Sequence, residues 1–299
     1  MLKSILLKQI INLSNLYFKY TFWNPQKKYQ SFRRLHILSA PKDKLLLSEI
    51  ANEKYLISSN DMFIGQTIYA KGTFDLEKIE LALKIIGEKF EPAVLIDIGA
   101  NIGTICIPCI KRGYFKQAIA IEPEPFNFKL LKINVTLNDL ENSIQLHNIA
   151  LSDKDNEDLE LGLSTENYGD HRLRKNNDQD SDRTFIKIKT QTLLNFIDED
   201  KLEKTLIWMD TQGFEAFILK GIENILKKNP PYLAMEFDPK HFIMTNSYHL
   251  LKSTVLSSKY IQFYDLETNK KYDLTEENLD FLFETLLKNN IFTDILFIK

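Results

Sequence analysis

The sequence predicts an α/β fold, a mostly parallel sheet with helices on both faces. Three observations lead there. From Glu91 onward, strand-like apolar runs alternate with helix-length segments, an order that implies right-handed crossovers between parallel strands. The stretch from Val94 to Gly103, "VLIDIGANIG", is apolar on successive residues around one acid, the mark of a strand buried on both faces, and then turns through two glycines. Finally, 299 residues with 44% hydrophobic content can bury one large core or two modest ones.

Taken from the N-terminus, residues 1–43 form a basic amphipathic segment. Up to Lys42 there are eight Lys and Arg and no acid. At helical spacing Lys8, Asn12, Asn15 and Lys19 make a polar stripe opposite Leu2, Ile5, Leu6, Leu13, Leu16, Tyr17 and Tyr20. Such a helix either lies on an anionic membrane or packs on the domain or a second subunit. Lys8 and Lys19 interrupt any span of the roughly 18 uncharged residues a membrane crossing needs. With no small-residue cleavage site after a signal segment, the expected compartment is the cytoplasm, with peripheral contact at the inner face of the membrane as the alternative.

Residues 44–90 read as an extension packed on the core. "KLLLSEI" and "EKYLISSND" form a strand pair and "FDLEKIELALKII" a helix. Residues 91–299 then carry the main domain. Its expected order is strand "AVLIDIG", helix "IGTICIPCIKRG", strand "QAIAIEP", helix "PFNFKLLKINVTLN" and strand "SIQLHNIALS". A polar insertion near 153–182 follows, with "LELGLS" as a strand and "ENYGDHRLRKNNDQDSDR" as a loop. Next come helix "QTLLNFID", strand "TLIWMD", helix "FEAFILKGIENILKK" and strand "PYLAMEF". Two strands, "YIQFYDLE" and "TDILFIK", close the chain around the helix "TEENLDFLFETLLKNN".

Charge and cysteine content narrow the function. A net charge of -3 argues against general nucleic-acid binding, leaving a small molecule, glycan, lipid or protein as partner. Cys106 and Cys109 supply half of a tetrahedral zinc site, and no second pair completes it. They read as core residues of a helix that Pro108, lacking an N–H, should kink or restrict. No helical H-x-x-x-H or paired-acid spacing marks a catalytic metal, and no G-x-S-x-G marks a hydrolase.

In open α/β sheets, ligands bind beyond the carboxyl ends of the strands. The glycine turn sits there. Its spacing, G-A-N-I-G, is not the G-x-G-x-x-G that sets a helix N-terminus against a pyrophosphate, so a dinucleotide is the second choice. Glu122 ends the next strand, where a carboxylate can accept hydrogen bonds from both ribose hydroxyls of a mononucleoside.

The ordered series "LIDIGANIG", "AIEPEPFNFKLLKINVTLN", "IALSD", "IWMDTQGFEAFILKGIENILKK" and "PPYLAMEF" resembles the successive motifs of the FkbM-type family of S-adenosylmethionine-dependent methyltransferases. The resemblance covers Val94 to Phe237, and the two final strands fit it as well. It implies a Rossmann-like class I methyltransferase sheet of seven strands, one of the last pair antiparallel, that binds S-adenosyl-L-methionine. Carried over by position, Asp97, Gly99, Ala100, Asn101 and Gly103 would surround the methionine moiety. Glu122 would hold the ribose, Pro123 and the turn with Ala150 and Ser152 would border the adenine, and Asp210 would stand beside the cofactor's amino group and the substrate. Asp97 has an equally weighted alternative as a buried acid capping the glycine turn.

The family's fourth-strand pattern often reads Lys-x-Asp-x-Glu-Gly-x-Glu. Here Asp210, Gly213 and Glu215 fit, whereas Trp208 removes a cation and Gln212 a carboxylate. Methyl transfer from a sulfonium is an in-line displacement that depends chiefly on placing the acceptor. A hydroxyl acceptor benefits from a base, for which Asp210, Glu236 and His241 are the candidates. His171, Arg172, Gln212 and Glu215 are the candidate substrate contacts, Glu215 having a structural alternative as a first-turn helix acid. The expectation is O-methylation of a sugar, glycan or secondary metabolite. The rivals are a non-catalytic nucleoside-binding or scaffold protein and an NAD-dependent oxidoreductase.

Overall fold

The computed structural model describes residues 25–50, 52–87, 90–174 and 183–299. The basic helix expected over residues 2–20 lies outside the described residues. Among those described, no helix is long and apolar enough to cross a membrane.

The N-terminal part consists of α1 (Pro25–Ser39), the antiparallel pair β1 (Leu45–Ser48) and β2 (Tyr55–Ser58), α2 (Ile64–Lys71) and α3 (Leu76–Ile86). Helix α1 is fixed to α2 through Tyr69 and through Gln66, whose Oε1 accepts from Arg34 Nε at 3.1 Å. Arg33 donates to the Tyr69 carbonyl with its guanidinium 3.9 Å above the ring, and His36 Nδ1 lies 2.7 Å from the Tyr69 hydroxyl. The alternating unit follows, with β3 (Val94–Ile98), α4 (Cys106–Lys111), β4 (Gln117–Ile121), α5 (Pro125–Leu137) and β5 (Ile144–His147). A separate group of strands comes next: β6 (Ala150–Leu151), β7 (Asp158–Leu163), β8 (Arg172–Arg174) and β9 (Thr184–Gln191). The chain then returns to the main sheet with β10 (Thr205–Met209), α6 (Glu215–Gly221), α7 (Glu223–Lys228), β11 (Tyr232–Phe237), α8 (Pro239–Met244) and α9 (Tyr248–Leu256). It ends with β12 (Gln262–Asp265), β13 (Lys270–Asp273), α10 (Glu276–Asn289) and β14 (Thr293–Ile298).

The main sheet runs β13-β12-β14-β11-β10-β3-β4-β5. Its parallel centre comprises β11, β10, β3, β4 and β5, and β14 is antiparallel to both β11 and β12. This is the Rossmann-like sheet that the sequence predicts, with eight strands in place of seven. The added strand, β13, is a hairpin partner of β12 in which Tyr272 stacks on Phe263 at 5.0 Å. Its exposed Lys270 and Lys271 protect a sheet edge, which is why its composition reads as loop.

Each central strand divides its side chains between two cores, because successive residues point to opposite faces. Ile96, Ile98, Ile207, Met209, Leu233 and Phe297 pack beneath α6, α7, α9 and α10. Leu95, Leu206, Trp208, Ala234 and Leu296 pack on the other face with residues of α4, α5 and the N-terminal helices. The N-terminal extension is therefore part of the second core.

Several expected elements are corrected. Within the 153–182 interval, β7 and β8 join a second sheet, ordered β6-β9-β7-β8, β8 being Arg172–Arg174 from the expected loop, while residues 175–182 of that loop lie outside the described residues. Strand β9 was legible as alternating Ile186, Lys187, Ile188 and Lys189, a period-two pattern inside a charged stretch. The expected helix "QTLLNFID" contracts to a 3-10 turn at Leu193–Phe196 because Gln191 still belongs to β9. The helix after β10 breaks at Ile222 into α6 and α7. The single strand "SIQLHNIALS" splits into β5 and β6, which join different sheets. Pro108 falls in the first turn of α4, where its missing N–H has no helical partner to lose.

Candidate functional site

The carboxyl ends of β3, β4 and β10 meet through backbone hydrogen bonds. Gly99 N and Ala100 N both donate to the Ile121 carbonyl, at 3.0 and 3.1 Å, and Asp210 N donates to the Ile98 carbonyl at 3.0 Å. Gly99 has φ +82°, and a Cβ there would lie 1.9 Å from the Asp210 carbonyl oxygen. Only glycine fits. Asn101 also sits in the left-handed region, at φ 50°, where its Oδ1 accepts from Ile102 N at 2.8 Å. Ala100 is buried, and a Cβ at Gly103 would strike Ile107 and Leu131. These two residues shape the turn from within the core and do not face the cavity.

Asp97 is fully enclosed, and its Oδ2 accepts from Cys106 N at 3.0 Å. It thus caps the start of α4, not the glycine turn, while also lining the cavity. Burial pushes its pKa up to about 7. Glu122 follows the same logic at the end of β4. Its Oε2 accepts from Asn101 N and its Oε1 from Glu124 N, each at 2.8 Å. Burial raises it to about 8 against the lowering effect of those two N–H groups. Each oxygen retains a lone pair at a residue that lines the cavity. Beside it, Glu124 caps α5 by accepting from Asn127 N at 2.6 Å.

The cavity has about 860 Å³ of empty space, counting the part open to solvent. Asp97, Gly99, Asn101, Glu122, Pro123, Ala150, Asp210, His171 and Gln212 from the sequence-derived set lie on its wall, and Ile149, Ala150 and Leu151 make one side apolar. Ser152 does not reach it; its hydroxyl donates to Asp153 Oδ1 and its N–H joins the Gln191 carbonyl.

The second sheet and the N-terminal extension supply a wall that sequence reasoning missed. The Tyr168 carbonyl accepts from Asn101 Nδ2 and from Asn127 Nδ2, both at 2.8 Å, so the segment before β8 straps across the glycine turn and α5. Met62 N donates to the Glu166 carbonyl at 2.9 Å, and a Cβ at Gly169 would come within 2.6 Å of Ile64. Ile64, Phe74, Asp75, Tyr168 and Gly169 all line the cavity. Asn127 Oδ1 is buried without a partner among the described residues, an acceptor in a cavity wall. His171 Nδ1 accepts from Ser164 N at 3.0 Å, and burial with the nearby Arg183 charge lowers its pKa to about 4. It is a neutral hydrogen-bonding side chain at physiological pH.

Beyond Asp210 the turn is built by Glu215. Its carboxylate accepts from Thr211 N, Thr211 Oγ1 and Gly213 N at 2.8, 2.9 and 3.0 Å. Those bonds consume it, and it lines neither cavity described here. Gln212, at φ 55°, turns Nε2 to within 2.6 Å of Asp210 Oδ1 and 3.3 Å of Glu236 Oε2. His241 Nδ1 in turn lies 3.4 Å from Glu236 Oε2 and 3.5 Å from Asp238 Oδ2. Burial and the closeness of Glu236 raise Asp210 well above the usual carboxylate range, and burial together with Glu215 does the same to Glu236. Burial lowers His241, so its imidazole is neutral near pH 7.

His241 and Arg172 open onto a smaller cleft, about 410 Å³ counting the part open to solvent, that shares Gln212 and Leu173 with the main cavity. Among the described residues no group of three or more His, Cys, Asp or Glu side chains is arranged to hold a metal ion. The main cavity can therefore take a ligand with adjacent hydroxyls at Glu122, an apolar planar part near Ile149 to Leu151, and a cationic centre among Asp97 and Asp210. Trp208, where the family pattern often has a lysine, forms part of the wall.

Comparison with known proteins follows the same lines. Residues 97–271 match the model of the methyltransferase FkbM domain. No curated protein matches the chain. Among solved structures, a methyltransferase FkbM from Methylobacillus flagellatus KT shares 18% identity over 69% of this chain and 44% of its own, with a TM-score of 0.40. TYW2 from M. jannaschii, in complex with AdoMet, shares 14% over 86% of each chain with a TM-score of 0.37. TYW2 from P. horikoshii, in complex with MeSAdo, shares 13% over 87% of this chain and 74% of its own with a TM-score of 0.39. The chain thus spans less than half the length of the Methylobacillus structure.

Proposed function

The chain belongs to the FkbM methyltransferase family, and from that premise we propose that it transfers a methyl group from S-adenosyl-L-methionine to a hydroxyl of a sugar, glycan or secondary metabolite. The observation that carries the proposal is Glu122, a buried carboxylate at the end of β4 with one N–H on each oxygen and a place on the cavity wall.

The residues present fit this cofactor. Glu122 offers acceptors for the two ribose hydroxyls, Asn127 Oδ1 is an acceptor with no donor among the described residues, and Ile149 to Leu151 offer an apolar surface for the adenine. Burial raises the pKa of Asp97, Glu122 and Asp210, and the sulfonium and ammonium charges of a bound ligand would lower the cost of ionising the acids beside them. When bound, S-adenosyl-L-methionine supplies an electrophilic methyl group. The chain orients the acceptor, excludes water through the Tyr168 strap and the N-terminal extension, and receives the acceptor's proton.

We assign the proton to His241. Its Nδ1 faces Glu236 and Asp238, which orient the ring and leave Nε2 as the nitrogen to act as base. Asp210, the first candidate from sequence, is engaged with Gln212 and raised in pKa, which suits it to a cationic ligand better than to an alcohol proton. The net charge of -3 favours a non-nucleic-acid acceptor.

Calorimetric titration with S-adenosylhomocysteine tests the reading. Micromolar binding that Glu122→Ala removes, with no heat from NAD, supports it. Binding of NAD instead, or no binding of either compound by the folded chain, overturns it.

A further inference from the structure

The smaller cleft is unlike the main cavity in charge. Acids dominate the carboxyl ends of the main strands, whereas Arg172, Arg174 and Arg183 line this cleft together with Phe185, His241 and Met244. Two of the arginines are committed to structure. Arg174 stacks 3.5 Å from the Phe185 ring centre and pairs with Glu160, and Arg183 binds the Asp170 carboxylate and carbonyl.

Arg172 differs. Its Nε donates to Asp170 Oδ1 at 2.5 Å, but the contact recorded for its outer nitrogens among the described residues is Nη1 to the Met244 sulfur at 3.5 Å. A thioether is a weak acceptor, and a guanidinium carries five N–H donors in a planar fork that matches a carboxylate or phosphate. The side chain is 24% exposed, so the fork is partly desolvated but reachable. Asp170 is shared between Arg172 and Arg183, so this carboxylate faces two guanidinium charges.

Gln212 belongs to both cavities and His241 to this one. A molecule in the cleft therefore reaches the candidate base and the edge of the cofactor cavity at once.

We propose that the cleft is the acceptor subsite and that it selects an anionic acceptor, one whose carboxylate or phosphate is received by the Arg172 fork while its hydroxyl points to Gln212 and His241. This rests on the methyltransferase reading and adds the substrate class to it. Neutral sugars would fill the same space without matching the guanidinium.

The test uses the full chain labelled with 15N-arginine. Arginine Nε–H resonances are followed while methyl glucuronoside, glucose 6-phosphate or neutral methyl glucoside is added, and Arg172→Gln identifies the Arg172 signal. The expected result is a saturable shift of the Arg172 signal with one or both anionic sugars and none with methyl glucoside. Which anion acts separates a carboxylate acceptor from a phosphate one. Arg172→Gln should weaken that binding at least tenfold while S-adenosylhomocysteine affinity stays within twofold, showing that the variant is folded. Equal shifts with the neutral sugar, no shift with either anion, or unchanged anion binding by Arg172→Gln overturns the proposal. Because cofactor affinity is measured separately, loss of the methyltransferase reading and loss of the anionic subsite are distinct outcomes.

Discussion

The carbonyl oxygen of Asp210 occupies the space a side chain at Gly99 would need, 1.9 Å from the ideal β-carbon position. That contact locks the end of β10 to the glycine turn after β3. Gly99→Ala must either push the two strand ends apart or leave the φ +82° conformation, where non-glycine residues cost about 1–3 kcal/mol. The expected result is a loss of at least about 2 kcal/mol in urea unfolding, together with loss of S-adenosylhomocysteine binding. Wild-type stability in the alanine variant would contradict the contact.

Glu122 makes opposite demands on stability and binding. Its pKa of about 8 in the folded chain exceeds the ordinary carboxyl value of 4.5, so the fold holds a proton that the unfolded chain has released. The stability this contributes is full below about pH 4.5 and is lost as pH rises through about 8. Asp97, at about 7, acts in the same direction. Glu122→Gln removes the titration but sets an amide NH2 against one of the two N–H groups that the carboxyl oxygens accept, so its ligand-free Tm should lie below that of the wild type at pH 5, with the deficit shrinking at pH 8. The same variant should bind S-adenosylhomocysteine at least tenfold more weakly. A deficit of the same size at pH 5 and pH 8 would rule out an ionisation penalty at this residue.

The parallel centre of the sheet was legible because both faces of each strand are buried and its sequence is apolar on successive residues, broken only by Asp97 in "VLIDI" and by the first residue of "TLIWM". The glycine turn and Glu122 could be placed because strand ends define where ligands go. Of the second sheet, β7 was read as the strand "LELGLS", but β8 and β9 were obscured by composition: they carry Arg174, Lys187 and Lys189 on the same outward face as Glu160, over a small core around Leu159, Leu161 and Leu173. Ile64, Phe74 and Tyr168 had no signal, since their place on the wall arises from long-range packing between the extension, the strap and the sheet. Glu215 shows the converse. A polar residue in the family pattern turns out to fold the loop that presents Asp210 and Gln212.

Lys78 fastens the N-terminal extension to the sheet. Its Nζ lies 2.6 Å from Asp294, 2.7 Å from Glu267 and 3.6 Å from Asp75, and its side chain is 13% exposed. Removing one partner of a buried pair leaves the other charges uncompensated, at a cost of about 3–5 kcal/mol. Lys78→Met should lose about 3 kcal/mol in urea unfolding at pH 7. The loss should shrink at pH 5, because burial raises Asp75 to about 6 and raises Asp294 too, so both take up protons once the cation is gone. Asp75 lines the cofactor cavity, so cofactor affinity should fall with stability. An equal loss at both pH values would point to packing of the lysine stem as the cause.

His241 gives the last prediction, because its environment fixes the sign of a pH profile. Burial is the main cause that lowers its pKa from 6.5, and the Arg172 charge works in the same direction against Asp238 and Glu215. The proposed base is the neutral form, so kcat should be constant above neutrality and fall as pH drops through a value below 6.5. His241→Asn should lower kcat about 100-fold or more, the scale of a lost general base, while leaving S-adenosylhomocysteine affinity within twofold. Arg172→Gln removes one lowering influence and should move the inflection upward, toward 6.5. An inflection that stays in place in Arg172→Gln, or persists in His241→Asn, would assign the titrating base to another residue, with Asp210 the next to test.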